Sequence, residues 1–439
     1  MQRIDRSAWD VIIVGAGAAG IAAAQTLARC APRSSVLLLS EEDRLPYKRT
    51  KISKHIARGF AREQFAQLPP EWYAEQGFGL GLRARVVALD PPEHRVELAD
   101  GTRLSWDSLI LATGADPILP VLPFGPSADL PQHPPLPPAV FVLRTAAQVE
   151  ALRAALGRAH RVAVIGAGVL GLEVTEQLRL LDREVLLIGR DPQLMARQLN
   201  PRAAQDLAEV LRANGVELRL QETVMGLERR PGGGVAVGLV GGEAEADLVV
   251  WCVGVRPRSE LAARAGLRVD HGILVDRALR TSHPGILAAG DVAQHPDGTV
   301  SHLWHAAKHQ GELAALSAAG EQIGHENPPF RLKCEVFGQY VFSMGVPAFD
   351  LPARGAAREP AAAVSRRAGS SPVDTEDDEL EPWEAAEEAA GGMYRCLYFR
   401  GGRLSGALMV NDRDRAKLYE AAVREGWSRP RVEKELPPA

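Results

Sequence analysis

Three glycines near the start of the chain have the spacing that binds a dinucleotide pyrophosphate. Gly15, Gly17 and Gly20 form a GxGxxG sequence, with Ala18 and Ala19 between the last two. The first glycine permits a tight turn, the second lets backbone N–H groups approach the pyrophosphate, and the third lets a helix pack closely on a strand. The phosphate would lie at the positive end of that helix.

The elements that must position this loop flank it in the sequence. Residues 10–14 are typical of a buried parallel strand, residues 21–28 of a helix, and residues 36–39 of a second strand. Glu41 and Glu42 follow the second strand, where an acid can bind a ribose hydroxyl. The sequence therefore predicts a complete dinucleotide-binding fold.

The same unit recurs later in the chain. Residues 161–165 predict a strand, residues 172–181 a helix, and residues 185–188 a second strand. The loop between the first strand and the helix contains Gly166, Gly168, Val169, Leu170 and Gly171. Two Rossmann-like folds place the chain in the α/β class and predict two bound nucleotides that exchange a hydride.

The second copy differs at the position that selects the coenzyme. Gly189 stands where a ribose-binding acid is expected, and Arg190 follows it. A small residue beside an arginine favours a 2′-phosphate, and Arg197 could add positive charge. We therefore predict NADPH slightly ahead of NADH. The alternative is that Asp191 takes the role of the acid, which would give NADH or dual use.

Two further turns follow predicted strands. Residues 109–111 lead into Ala112, Thr113 and Gly114, and residues 286–289 lead into Gly290 and Asp291. A glycine at the end of a strand lets the backbone approach a ligand closely. The Asp291 carboxylate could accept hydrogen bonds from a polyol such as the ribityl chain of a flavin.

These motifs together resemble the pyridine nucleotide–disulfide oxidoreductase superfamily of FAD-dependent enzymes. Residues 46–54 (PYKRTKISK) resemble a segment of its rubredoxin and ferredoxin reductases, and Trp304, Ala307, Gln310 and Gly311 resemble a helix of the same branch. Thr50 and Ile52 are mild departures from that pattern. The resemblance implies FAD in the first site and NAD(P)H in the second.

The resemblance also implies the roles of individual residues. Lys54 and Glu173 would be the catalytic pair beside the reactive edge of the flavin, and we expect an ion pair between them. Arg49, Trp304 and His305 would contact the flavin. Val86 and Gly254 complete the implied nucleotide contacts.

Three histidines need a separate interpretation. His302, His305 and His309 share one face if residues 301–320 form a helix. We predict no metal site, because no acid or cysteine nearby completes a ligand set. His305 as a hydrogen-bonding neighbour of the flavin is the favoured alternative.

The cysteines narrow the choice of branch. Disulfide reductases of the superfamily carry a CxxxxC pair after the first nucleotide site, but residues 48–60 contain no cysteine. Without a thiol relay, the flavin would pass its electrons directly outward. The resemblance implies that the acceptor is a small iron–sulfur protein or a rubredoxin, and such proteins are usually acidic. The alternatives are an NAD(P)H oxidase or diaphorase that reduces oxygen or quinones, and a redox-sensing interaction protein resembling apoptosis-inducing factor.

The domain organisation follows from the order of these motifs. We predict a discontinuous FAD-binding domain (residues 1–116 and 247–325), a proline-rich connector (117–140), an NAD(P)-binding domain (141–246) and a small C-terminal α+β domain (326–439). We expect an acidic insertion at residues 350–392 to be disordered, because nine acids and no basic residue lie between residues 374 and 388. The resemblance leaves a homodimer open.

The charge distribution bears on the partner. The formal net charge is −4, which predicts binding neither to nucleic acid nor to a membrane surface. Lys48, Arg49, Lys51, Lys54 and Arg58 occur without an acid between residues 48 and 58, so they could form a docking face for an acidic protein. Four scattered cysteines and no apolar run of ~18 residues predict a cytoplasmic protein without a transmembrane helix.

Overall fold

The structure of the protein is a computed structural model. The structure describes residue 4 and residues 6–60, 66–119, 139–231, 233–326, 329–345 and 383–437. The chain divides into two compact units, and each contains several segments. The first unit comprises Met1–Gly166, Glu173–Val185 and Val224–Pro328, and the second comprises Ala167–Leu172, Leu186–Thr223 and Pro329–Ala439. The predicted domain limits stay a prediction.

The N-terminal part of the chain alternates strands and helices. Its elements are β1 (Ala8–Val14), α1 (Ala18–Cys30), β2 (Val36–Leu39), a 3-10 turn (Arg49–Lys51), α2 (His55–Arg58), α3 (Pro70–Glu75), β3 (Gly79–Gly81), β4 (Val86–Asp90), β5 (Arg95–Leu98), β6 (Arg103–Leu111) and β7 (Ala115–Pro117).

The middle of the chain contains a second run of alternating elements. They are β8 (Val140–Val142), α4 (Ala146–Leu156), β9 (Arg161–Ile165), α5 (Val169–Arg179), β10 (Glu184–Ile188), α6 (Pro201–Ala213), β11 (Val216–Arg219), β12 (Val224–Arg229), β13 (Val235–Leu239), β14 (Gly242–Ala246), β15 (Leu248–Trp251), β16 (Val255–Pro257), α7 (Glu260–Arg264), β17 (Ile273–Leu274), β18 (Ile286–Ala288) and β19 (Ala293–Gln294).

The C-terminal part begins with a long helix. Its elements are α8 (Trp304–Ala318), β20 (Arg331–Val336), β21 (Gln339–Met344), β22 (Glu384–Ala390), β23 (Met393–Arg400), β24 (Arg403–Val410), α9 (Ala416–Glu425) and α10 (Arg429–Glu435).

Two mainly parallel sheets confirm the predicted α/β class. The first has the order β3-β2-β1-β6-β5-β4, and β18 also pairs with β6. Its strands β1, β2 and β6 are parallel, and Ile12, Ile13 and Leu38 are fully buried because helices cover such a sheet. The second sheet has the order β11-β10-β9-β15-β8. Parallel strands of one sheet end at the same edge, so the loops after β1, β6 and β18 meet there.

The C-terminal sheet is antiparallel, with the order β20-β21-β24-β23-β22. The patterns of residues 330–344 and 394–409 predict strands and a hairpin, which β20, β21, β23 and β24 confirm. The helix that the pattern of residues 413–425 predicts is α9, and a further helix, α10, follows it. Phe342, Tyr419 and Trp427 belong to the buried core beneath this sheet.

One prediction for the acidic insertion is wrong in part. Residues 384–390 form β22, which pairs with β23 along its whole length. Glu384 forms an ion pair with Arg429, and Glu388 forms one with the buried Arg395. These partners neutralise part of the like charge that predicted disorder. Residues 346–382 lie outside the described residues, so the prediction for them is unchanged.

Among the described residues, no helix is both long enough and apolar enough to cross a membrane.

Candidate functional site

The first glycine loop connects β1 to α1, and close packing leaves no room for a side chain at two of its three glycines. Gly15 has a positive φ of 111°, and a Cβ there would lie less than 3.0 Å from the Ala112 carbonyl oxygen. A Cβ at Gly20 would be equally close to the carbonyl oxygen of Gly15. By contrast, a Cβ at Gly17 would meet no atom within 4 Å. Gly17 therefore borders open space, whereas Gly15 and Gly20 hold the loop against its neighbours.

The N-terminus of α1 faces this space. Gly17 is the N-cap residue, and no side chain caps the helix. Ala18 and Ala19 form the first turn, and the first N–H groups of a helix have no partner inside it. An uncapped helix start beside open space fits the pyrophosphate of a dinucleotide such as FAD.

The two acids after β2 are both engaged. Glu42 accepts a hydrogen bond from the Tyr47 hydroxyl at 2.6 Å and pairs with the Arg49 guanidinium. Arg49 also donates to the carbonyl oxygen of Arg144 at 3.0 Å. Glu41 pairs with Arg258. Arg49 thus joins the turn before α2 to the start of α4.

A charged pair lies beside the predicted ribityl-binding turn. Arg144 Nη2 is 2.7 Å from Asp291 Oδ2, and a Cβ on Gly114 would be 3.6 Å from the same Nη2. Gly290, which precedes Asp291, has a positive φ of 83°. The sequence analysis missed Arg144, although a capping box at Thr145 marks the helix that follows it. The structure therefore brings Gly114, Asp291 and Arg144 together at one edge of the first sheet.

The Ala112–Gly114 turn is tied to the strand β16 region. Thr113 Oγ1 donates to the carbonyl oxygen of Arg258 at 3.0 Å, and the Arg258 N–H donates to the Gly114 carbonyl oxygen at 2.9 Å. Arg258 also pairs with Asp116 on β7. Arg258 is therefore a second residue of this region that the sequence analysis did not single out.

The ion pair of Lys54 differs from the expected one. Lys54 Nζ is 2.8 Å from Glu176 Oε2, whereas Glu173 Oε2 accepts a hydrogen bond from Ser53 Oγ at 2.7 Å. Glu173 and Glu176 lie on one face of α5, so residues 53 and 54 can each meet one of them. Burial raises the pKa of Glu173 above its ordinary value, although Ser53 and Lys54 act in the opposite direction.

Helix α8 begins beside the basic segment. Lys48 Nζ lies 4.6 Å from the centre of the Trp304 ring, and His305 follows in the first turn of the helix. His302 precedes the helix and has a positive φ of 47°, so the expected single face of three histidines does not form. No group of three potential metal ligands occurs among the residues that the structure describes.

The second glycine loop repeats the geometry of the first. Gly166 has a φ of 115°, and a Cβ there would lie less than 3.0 Å from the Cys252 carbonyl oxygen. A Cβ at Gly168 would meet nothing within 4 Å, and Val169, Leu170 and Gly171 begin α5. Gly254, with a φ of 131°, lies just before β16. This loop fits a second dinucleotide by the same physical criteria.

The position expected to hold the ribose acid of the second nucleotide is constrained by packing. A Cβ at Gly189 would lie 2.8 Å from both Ala167 Cβ and Leu220 Cδ2. A larger residue at this position would therefore require Ala167 or the flexible end of Leu220 to move. Arg190 and Arg197 are exposed, and Asp191 is half-buried.

Val86, which the sequence analysis predicts to contact a nucleotide, lies in a paired strand of the first sheet. Val86 begins β4, is paired with Leu98 on β5, and packs against the core of the first sheet. The nucleotide contact predicted for Val86 stays a prediction.

The comparison with known families agrees with this arrangement. A model described as pyridine nucleotide-disulphide oxidoreductase matches residues 9–311. The chain belongs to this family.

Characterised relatives include reductases of electron-transfer proteins. The ferredoxin–NAD(+) reductase component of the anthranilate 1,2-dioxygenase system of Burkholderia cepacia is 35% identical over 331 residues, which are 74% of this chain and 79% of that protein. The rubredoxin–NAD(+) reductase of Pseudomonas putida is 32% identical over 326 residues, which are 73% and 82% of the two chains. Rhodocoxin reductase of Rhodococcus erythropolis is 35% identical over 290 residues, which are 65% of each chain.

Two solved structures have the same fold. One is the covalent putidaredoxin reductase–putidaredoxin complex, with a TM-score of 0.79 and 23% identity over 98% of this chain and 97% of that one. The other is a ferredoxin reductase from Rhodopseudomonas palustris, with a TM-score of 0.78 and 24% identity over 98% and 100%. These likenesses confirm the predicted fold class.

The cysteines of this pyridine nucleotide-disulphide oxidoreductase are unsuited to a thiol relay. Burial raises the pKa of Cys252 to about 12 and the pKa of Cys396 to about 11, so both stay protonated at neutral pH. Cys334 is also buried. Cys30 is largely exposed, but its partial burial and the nearby Glu321 raise its pKa above the ordinary value.

Proposed function

We propose that this protein is an FAD-dependent reductase that passes electrons from NADH to a small iron–sulfur protein or a rubredoxin. The observation that carries the proposal is the combination of two open glycine loops with a segment after the first loop that contains no cysteine. The names of the relatives, which are ferredoxin and rubredoxin reductases, support it. FAD, when bound, accepts a hydride and releases its electrons one at a time.

The residues around the first loop would bind and orient that cofactor. The uncapped start of α1 would receive the pyrophosphate, and Asp291 would accept hydrogen bonds from hydroxyl groups of the ligand. Arg144 holds the Asp291 carboxylate in place and brings a positive charge to the same edge of the sheet. Arg49 joins the turn before α2 to α4 and so limits the movement of the segment that contains Lys54.

Lys54 and Glu173 would act at the reactive edge of the bound cofactor. The Lys54 ammonium group would favour a negative charge that develops there. Its pairing with Glu176 fixes its position, and the hydrogen bond from Ser53 fixes the Glu173 carboxylate. The raised pKa of Glu173 makes it a group able to hold a proton near this point.

The coenzyme is proposed to be NADH, with Asp191 as the ribose-binding acid. The crowding around position 189 favours a small residue, so a glycine there is not by itself evidence for NADPH. The names of the relatives contain NAD(+). The earlier expectation of a slight NADPH preference therefore has no support beyond the charge of Arg190 and Arg197.

Steady-state kinetics with purified protein tests both parts of the proposal. We expect bound FAD, rapid reduction of a ferredoxin or rubredoxin from an acceptor panel, and a higher kcat/KM with NADH than with NADPH. Asp191→Ala should lower kcat/KM for NADH about tenfold or more, since a charged hydrogen bond to the ribose is lost. Arg212→Ala, on the exposed surface of α6, serves as the control.

Three results would contradict the proposal. Protein without flavin would reject the cofactor, and fast oxygen consumption unaffected by any protein acceptor would indicate an oxidase. A preference for NADPH would make Arg190 the dominant residue of the coenzyme site.

A further inference from the structure

A buried network of hydrogen-bonded polar side chains contacts the turn at Gly290 and Asp291. The Gly290 N–H donates to Gln310 Oε1 at 2.7 Å. Gln310 Nε2 is 2.8 Å from His295 Nε2 and 3.1 Å from Ser301 Oγ. Gln310 is completely buried on α8, so water cannot replace these partners.

Gln310 cannot easily move away from the turn. The next residue, Gly311, is packed so tightly that a Cβ would lie less than 3.0 Å from the Ala19 carbonyl oxygen on α1. Gly290 itself is restricted, because a Cβ there would lie 3.1 Å from Ala19 Cβ and 3.4 Å from Ala307 Cβ. Helices α1 and α8 therefore fix the distance between the Gln310 amide and the turn.

The donors and acceptors of Gly290 and Gln310 determine which nitrogen of His295 carries the proton. A backbone N–H can only donate, so the oxygen of the Gln310 amide must face Gly290. The amide nitrogen then faces His295 and can only donate as well. Consequently His295 Nε2 must accept, which requires a neutral ring with its proton on Nδ1.

We infer that Gln310 is a positioning residue of the flavin site, and that it holds the Gly290–Asp291 turn only while His295 is a neutral hydrogen-bond acceptor. A proton on His295 Nε2 would place two donors face to face. Rotating the Gln310 amide would move the same conflict to the Gly290 N–H. This inference rests on the proposed function, because the turn is assigned to FAD there.

The surroundings of His295 favour the neutral form. Burial and the neighbouring His325 ring, whose centre is 4.8 Å away, lower the pKa of His295 to about 4. The Asp297 carboxylate acts in the opposite direction. His309 also neighbours His325, with ring centres 5.6 Å apart. His295 Nε2 therefore remains a hydrogen-bond acceptor for Gln310 throughout the neutral pH range.

Two substitutions of Gln310 test the inference in the full-length protein. Gln310→Met removes the bond to Gly290 and should raise the Kd for FAD about tenfold at pH 7.5. Gln310→Glu can accept from Gly290 and from a protonated His295. It should therefore bind FAD more tightly as the pH falls from 8 to 6, whereas the Kd of the unaltered protein should stay constant in that range. His160→Gln, at an exposed histidine before β9, is the control and should behave like the unaltered protein.

A spectroscopic measurement does not depend on FAD affinity. ¹⁵N NMR of histidine-labelled protein should show His295 neutral with its proton on Nδ1 at pH 7, and protonated in Gln310→Glu. An Nε2–H tautomer, or an unchanged Kd in Gln310→Met, would overturn the inference. Failure of the unaltered protein to bind FAD would reject the proposed function instead, and the NMR result would still test the network.

Discussion

At the scale of single residues, glycines with the same sequence role have different physical roles. Gly15 and Gly166 are required because of positive φ and contact with a neighbouring carbonyl group. Gly17 and Gly168 border open space instead. A GxGxxG motif therefore combines positions that maintain the fold with positions that admit the ligand.

The pair Gly15→Ala and Gly17→Ala separates these roles. Gly15→Ala should cost about 2–4 kcal/mol of unfolding free energy, because strain at positive φ adds to overpacking. Gly17→Ala should leave the free energy of unfolding of the FAD-free protein within about 0.5 kcal/mol while weakening FAD binding at least tenfold. Urea denaturation and FAD titration measure the two effects. Equal losses of stability in both variants would contradict this assignment.

Glu173 should make stability depend on pH. Burial raises its pKa in the folded state, so the unfolded state releases the proton more readily. Above the ordinary value of 4.5, the ionised carboxylate therefore reduces stability, and below that value the effect disappears. Glu173→Gln, which keeps an acceptor for Ser53, should have a higher Tm at pH 8 and an unchanged Tm near pH 4.

The control for this measurement is Glu209→Gln, at an exposed carboxylate on α6. It should show no such pH-dependent gain. A Tm for Glu173→Gln that is lower at pH 8 would mean that the carboxylate charge stabilises the fold.

At the scale of elements, the contact between α1 and α8 determines the geometry of the first site. Helix α1 supplies the N-terminus that is proposed to bind the phosphates, and α8 supplies Trp304, His305 and Gln310. The two helices approach closely at Gly311 and Ala19. Their packing therefore links the glycine loop to the Gly290–Asp291 turn.

Gly311→Ala should separate the two helices. We expect a loss of about 1–3 kcal/mol in unfolding free energy, with weaker FAD binding, because an added methyl group overpacks the contact. Gly324→Ala adds the same group where no atom lies within 4 Å, and it should change stability by less than about 0.5 kcal/mol. Similar urea midpoints for Gly311→Ala and the unaltered protein would show that the helices can adapt.

At the scale of the whole molecule, charge would control the encounter with an acidic acceptor. Of the five cations between residues 48 and 58, Arg49 pairs with Glu42 and Lys54 with Glu176. Lys51 and Arg58 are exposed, and Lys48 lies over the Trp304 ring. The proposed docking face therefore consists of fewer charges than the sequence alone indicates.

Reversing the two exposed charges should slow the reduction of a protein acceptor but not the reduction of a small-molecule acceptor. The double variant Lys51→Glu with Arg58→Glu should lower kcat/KM for a ferredoxin or rubredoxin about tenfold at low salt and leave ferricyanide reduction unchanged. The difference should shrink as the ionic strength rises to about 0.15 M. Arg212→Glu with Arg229→Glu changes the net charge equally on other exposed positions. Equal rates for the two double variants would reject this docking face.

The sequence by itself determined the local units of this protein. Both GxGxxG loops, their flanking strands and helices, and the turns at Gly114 and Gly290 follow from patterns within a few consecutive residues, and such patterns fix backbone conformation locally. The absence of a cysteine pair also follows from the sequence alone, because residues 48–60 contain no cysteine.

Only the tertiary structure decided which side chains meet. The partner of Lys54 is Glu176, although Glu173 lies one helical turn away on the same face, and the partner of Asp291 is Arg144, from a distant part of the chain. The strand β22 forms in an acidic segment because β23 and the ion pairs with Arg395 and Arg429 offset its repulsion. Ala167 and Leu220 approach Gly189 closely and favour a small residue there. These are long-range packing effects, and no spacing in the sequence encodes them.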